Sequence, residues 1–303
     1  MKTKSLPPLT SIPHVTNSSA WAGAPPFLMR IAAWLNRNIP RGKGAVPRWI
    51  GRRLGRNWQT FITTDSGCRL AVDPMNLDLF VTIQNDGAWE PWVRKACITA
   101  MRNGDVMFDV GANAGTISNE VGLACSGVTI KAFEPQTELA HLVCVSAALN
   151  RLDCIEVFPV AVGDHCGTIQ LHKPAHALHA STAASGESGE RVVDCPLISL
   201  DAMERSGQLP TPNLIKIDVE GGELNVLRGA TWLISKYQPV IIFEANDNCE
   251  RFGYTRDDLF RIISEHGSYR FFKVAPGDTL AAPESRAAEF ETYYSEIAWA
   301  QNG

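Results

Sequence analysis

Beyond Asn103 the apolar positions fall into short solid runs that alternate with stretches of helical spacing. Val106–Val110, Val128–Phe133, Ile155–Val162, Leu214–Val219 and Val240–Glu244 are runs of the kind found in strands buried on both faces. Between them, Thr116–Cys125, Thr137–Leu149, Glu223–Tyr237 and Arg256–His266 read as helices, the second stopped by Asn150. This order predicts an α/β fold, a doubly wound and mostly parallel sheet with helices on both faces. A short extra strand is expected at Thr168–Lys173 and a short helix from Leu200. Tyr269–Val274 and Glu296–Ala300 would close the sheet as an antiparallel pair.

The first third of the chain breaks this rhythm. Met1 to about Pro26 is rich in Pro, Ser, Thr and Gly without an apolar period, and disorder is expected there. Phe27, Ile31 and Leu35 give one helix reaching Ile39, and Asp65-Ser66-Gly67 supplies the turn of a hairpin over Thr60–Val72. Three regions follow: a disordered 1–26, an N-terminal extension over 27–102, and the main domain over 103–303. Pro174–Glu190, rich in Ala, Ser, Gly and His, reads as a mobile loop. No internal repeat is seen.

Charge narrows the partners. The net charge of -4 and pI near 6.0 argue against a nucleic-acid binder, which needs a broad basic surface. A small molecule or a carbohydrate is the better acceptor. Arg41, Lys43, Arg48, Arg52, Arg53 and Arg56, with Trp49 and Trp58 among them, read first as a solvated segment and second as a peripheral membrane contact. Eight cysteines without a C-x-x-C pair read as reduced, small hydrophobes. No apolar stretch approaches the roughly 20 residues of a membrane span, and no secretory signal is apparent, so a cytoplasmic protein is expected.

The chemistry concentrates after the first strand of the main domain. Val106–Val110 ends in Asp109-Val110 and runs through Gly111-Ala112-Asn113-Ala114-Gly115 into a helix. Glycines at such a turn let the backbone approach a ligand closely, and the crevice beyond the strand ends of an open α/β sheet is where ligands bind. The spacing is G-x-N-x-G and not the dinucleotide G-x-G-x-x-G. A carboxylate at the mouth, Asp109, would repel a diphosphate and suit the sulfonium and ammonium groups of S-adenosylmethionine. Glu134, one strand-helix-strand step later, would accept hydrogen bonds from a ribose diol. This reading requires Asp109 and Glu134 to face one cavity. A third cluster lies in Leu214-Ile215-Lys216-Ile217-Asp218, where Lys216 and Asp218 share a strand face. Their bland role is to pair with each other or cap the next helix.

The run from Asp109 to Gly115, then Phe133-Glu134-Pro135, then Lys216 to Glu223 with Val226-Leu227-Arg228-Gly229-Ala230, resembles the FkbM family of methyltransferases. Gly87-Ala88-Trp89-Glu90-Pro91 upstream and Pro239 to Glu244 downstream extend the similarity over roughly residues 80 to 275. The resemblance implies a class I methyltransferase fold with a seven-stranded sheet, S-adenosylmethionine as methyl donor, and O-methylation of sugars or secondary-metabolite hydroxyls. The cofactor-binding set expected on this basis is Asp109, Gly111, Asn113, Gly115, Glu134, Glu90 and Ala161. Glu90 has a blander alternative as a helix cap. Removing the proton of an alcohol needs a base or a metal. Asp218 is the first candidate base, with Lys216 beside it and His172 next, ahead of His176 and His179. Adjacent strand ends would bring Asp218, Glu244 and Asn246 near one another, an oxygen-rich set that suits magnesium as the metal alternative, and no metal ligand is assigned. The rivals are a nicotinamide-dependent oxidoreductase and a non-catalytic partner subunit keeping the same fold.

Overall fold

The computed structural model describes residues 8–15, 27–38, 60–72, 77–173, 191–297 and 299. Its main sheet is built from β3 (Val106–Val110), β4 (Thr129–Phe133), β5 (Ile155–Phe158), β9 (Leu214–Ile217), β10 (Val240–Glu244), β11 (Tyr269–Ala275), β12 (Asp278–Pro283) and β13 (Ser295–Glu296). The order across the sheet is β13-β11-β12-β10-β9-β3-β4-β5. From β5 to β10 the pairing is parallel, and β12, β11 and β13 are antiparallel. The doubly wound expectation holds, and the seven expected strands become eight through β12, a strand absent from the sequence reading. Strand order reverses between β3 and β9, and ligands of open α/β sheets settle at such a switch point.

Alternation along the strands separates two apolar faces. Met107, Ile130, Leu214, Ile242 and Leu280 face one layer, beneath α3 (Pro91–Ala100), α4 (Thr116–Ala124) and α5 (Thr137–Asn150). Phe108, Val110, Ile215, Ile217 and Phe243 face the other, against α6 (Leu200–Arg205), α7 (Glu223–Arg228), α8 (Thr231–Tyr237) and α9 (Arg256–Glu265). Helices on both faces bury each strand twice, and that burial explains the solid apolar runs of the sequence.

The extension joins this body. Val93, Ala96, Cys97 and Ala100 of α3 sit in the same core as Met107 and Ile130, so packing shows no boundary at Asn103. The hairpin β1 (Thr60–Thr63) and β2 (Arg69–Val72) forms as expected, with Phe61 opposite Ala71. It lies on α5, where the Ala71 N–H donates to Ser146 Oγ at 2.9 Å, and α2 (Leu77–Asp86) completes the cluster. Residues 8–15 belong to the stretch expected to be disordered, yet they are docked. The Ile12 N–H donates to the Val157 carbonyl at 2.8 Å on the open edge of β5, and an unpaired strand edge is a site that gains from such cover.

Three boundaries differ from the sequence reading. Ile155–Val162 is not one strand, because Pro159 interrupts it. Ala161–Val162 becomes β6 and pairs with β8 (Arg191–Ile198), which also pairs with β7 (Gly167–Lys173) in a separate small sheet. Glu223–Tyr237 is two helices, broken where Gly229 lets the backbone approach the Gly163 carbonyl; a Cβ there would lie 1.9 Å from that oxygen. The main partner of β11 is β12, joined by a tight turn at Gly277, and only two residues of β13 add to it. The basic stretch from Arg41 to Arg56 and the loop from Pro174 to Glu190, with His176 and His179, lie outside the described residues. Among the described residues no helix is long and apolar enough to cross a membrane.

Candidate active site

Sheet register builds the site. Val110 is the lateral partner of Phe133 and Ile217, Ile217 of Phe243, and Glu244 of Asp278. One residue further on, Glu134, Gly111 and Asp218 join Glu244 and Asp278 in a single row across five strand ends. Neighbouring strands stand ~4.8 Å apart, so the row sets carboxylates on both sides of a glycine gap. All five residues line one cavity of about 300 Å³, with Glu90 reaching it from the N-terminus of α3. That volume is at the lower end for a small-molecule site.

Asp109 does not stand at the mouth, contrary to the sequence reading. It is the next-to-last residue of β3, two positions below the row, and is 0% exposed. Its Oδ2 accepts from Ser118 Oγ at 2.5 Å, and its Oδ1 lies 3.4 Å from Lys216 Nζ. The physical reason is the strand rise: two residues place its carboxylate about 6.6 Å deeper than Glu134 on the same face. Asp109 and Glu134 therefore do not meet in one cavity, and the negative rim is carried by other residues.

Lys216 ties the floor to the rim. Its ammonium, on a side chain only 5% exposed, donates to the Gly111 carbonyl at 3.1 Å and stands 3.3 Å from Asp218 Oδ2. Burial works against its charge, but Asp218, Asp109 and Glu90 more than offset that and raise its pKa above the ordinary lysine value. The predicted pairing of Lys216 with Asp218 is present, and Asp218 also lines the cavity.

The remaining carboxyls are crowded and partly desolvated. Burial pushes Glu134 up to about 7, against the pull of the Gln136 and Asn113 N–H groups that it accepts at 2.8 and 2.9 Å. Asn113 sits in the left-handed region at φ 52 and lines the cavity beside it. Glu90 makes no side-chain cap on α3, so the blander role is not the one it plays. Its carboxyl is pushed up to about 7, chiefly by burial, with Lys216 opposing and Asp218 and Asp278 adding to the rise. Glu244 is pushed up to about 8 by burial and then by Asp218, Glu220, Glu223 and Asp278. Asp278 rises to about 6 through burial and Asp218, with Lys216 opposing.

Other expected residues divide. Gly111 and Ala161 line the cavity, and Gly115 does not. Gly115 instead starts α4 at φ +80, where a Cβ would meet the Val143 side chain at 2.7 Å. His172 is not brought to the site: Ile169 and Leu171 of β7 line the cavity, and strand alternation turns His172 to the opposite face. Two lining acids, Glu220 and Asp278, were not singled out from the sequence. The turn Pro276-Gly277-Asp278 was the available sign of a returning strand that would present an acid. Among the described residues, no group of three or more His, Cys, Asp or Glu side chains is placed to hold a metal ion.

Residues 109–271, more than half of the chain, match the methyltransferase FkbM domain, and the chain belongs to that family. It is an S-adenosylmethionine-dependent methyltransferase. The hexuronic acid methyltransferase AglP of Haloferax volcanii is 26% identical over 196 residues, covering 64% of this chain and 78% of that protein. Among solved structures, the methyltransferase FkbM from Methylobacillus flagellatus KT is 16% identical with a TM-score of 0.40, covering 82% of this chain and 60% of that one. M. jannaschii TYW2 in complex with AdoMet is 13% identical with a TM-score of 0.40, covering 74% and 83%.

Proposed function

We propose that the protein transfers a methyl group from S-adenosylmethionine to a hydroxyl of a carbohydrate or a similarly polyhydroxylated small molecule, in the cytoplasm. The observation that supports this most is the row of carboxylates flanking Gly111 on one cavity. Such a rim favours a cationic donor and disfavours a diphosphate, which counts against the nicotinamide rival. The residues fit the donor. Glu134 keeps lone pairs free beyond its two backbone bonds for a ribose diol, Gly111 and Asn113 offer backbone at close range, and Val160, Ala161 and Leu197 give an apolar wall. When bound, the donor supplies a methyl on an already activated sulfur. The chain's own work is to align the acceptor oxygen and dispose of its proton. That AglP is named for hexuronic acid supports a sugar as the acceptor class here.

The test is transfer of labelled methyl from S-adenosylmethionine to methyl glycosides of neutral hexoses and of a hexuronic acid. A labelled sugar methyl ether is expected. Asp218→Asn should lower kcat by roughly 10²–10⁴-fold while donor affinity stays within about threefold, because Asp218 meets the acceptor side of the row. Absence of label from every sugar would remove the carbohydrate acceptor.

A further inference from the structure

Asp218 is the obvious base by position, but its surroundings suit another task. A proton arriving on Asp218 would dissolve its ion pair with Lys216, which is itself committed to Asp109 and the Gly111 carbonyl. Glu244 stands next in the row with carboxylates on both sides, Asp218 from the end of β9 and Asp278 from the start of β12. A proton taken up at that central place relieves repulsion on both flanks and breaks no ion pair.

We propose that Glu244 is the general base of the transfer and that Asp218, fixed by Lys216, orients the acceptor hydroxyl toward it. This rests on the hydroxyl-methylation reading above. In the step, the acceptor oxygen bonds to the methyl carbon and the carbon–sulfur bond breaks with its electron pair going to sulfur. The hydroxyl proton passes to a carboxylate oxygen of Glu244 and then leaves to solvent. Charge balances, since the cationic sulfur becomes neutral as the carboxylate becomes neutral.

The neighbours of Glu244 account for its behaviour with pH. Asp218, Glu220 and Glu223 face it from the β9 end and α7, Asp278 from β12, and Asn246 Nδ2 donates to its Oε1 at 2.6 Å. Glu90 and Lys216 belong to the same set across the cavity, coupled to Asp218 and Asp278. The acids outnumber the cation. With its carboxyl pushed up to about 8, Glu244 is mostly protonated in the free protein near neutrality. A bound sulfonium then favours loss of that proton, leaving the base ready.

Two measurements test this. Calorimetry of S-adenosylmethionine binding in buffers of different ionisation enthalpy, at about pH 7.5, should show proton release, with about half a proton less in Glu244→Gln. With the labelled-methyl assay, wild-type kcat/KM should rise about tenfold per pH unit and level off near the free-enzyme pKa. Glu244→Gln should lose roughly 10²–10⁴-fold in kcat and lose that limb, and Glu244→Asp should recover part of both. Equal proton release in wild type and Glu244→Gln, or a Glu244→Gln enzyme above a tenth of the wild-type rate with the limb intact, overturns the assignment of Glu244 while leaving methyl transfer standing. Failure of the wild type to bind S-adenosylmethionine overturns the methyltransfer reading and this assignment with it.

Discussion

Gly111→Ala should cost roughly 3–5 kcal/mol of stability and abolish donor binding. Gly111 holds φ +78, a left-handed conformation that costs an L-residue about 1–2 kcal/mol. More important, an added Cβ would lie 1.7 Å from the carbonyl oxygen of Asp218 and 2.7 Å from its carbonyl carbon. Both atoms are backbone, so relief requires β3 and β9 to move apart at the point where Lys216 clamps them. The comparison variant is Gly67→Ala. Gly67 has φ +85 with nothing within 4 Å of the added atom, so it should lose only about 1 kcal/mol. Thermal melting of the pair checks this, with a fall of roughly 6–15 °C for Gly111→Ala and much less for Gly67→Ala. Equal shifts would show that the close approach to Asp218 is absent in solution.

Lys216→Met should be nearly as costly, for a different reason. The ammonium serves two acids and a carbonyl, and its removal leaves Asp109 buried with its second oxygen unpaired. Breaking a buried pair from one side costs roughly 3–5 kcal/mol, since the stranded charge keeps its desolvation penalty. Adding Asp109→Asn to Lys216→Met should recover part of the loss, because the stranded group is then neutral. Denaturant unfolding of the single and double variants measures it. A Lys216→Met protein as stable as wild type would mean that Lys216 does not hold β3 to β9. The role measured here is the pairing that the sequence offered as the blander reading of Lys216.

How much of this was legible depended on the scale of the question. The five strands of the parallel part announced themselves because both faces are buried, and Val106–Val110 and Val240–Glu244 are found at the expected bounds. Gly111, Asn113, Glu134, Glu90, Ala161 and Asp218, all expected site residues from sequence, line the cavity. Depth was not legible. Asp109 and Glu134 both look like strand-end acids, but the ends of β3 and β4 are set by lateral register, and that leaves Asp109 two residues down. His172 was misjudged because the small sheet that fixes its face is made with β8, which carries an exposed, polar-mixed pattern. Asp278 enters from an antiparallel strand whose pairing depends on a turn far from the glycine motif.

A carboxylate row on one cavity suits a cationic methyl donor, and calorimetry with S-adenosylmethionine measures that match. One saturable site per chain is predicted, with Kd between roughly 1 μM and 1 mM, and with no comparable binding of a nicotinamide dinucleotide. No heat of binding at millimolar S-adenosylmethionine, or tight binding of the dinucleotide in its place, would show that the carboxylate row does not serve a cationic donor.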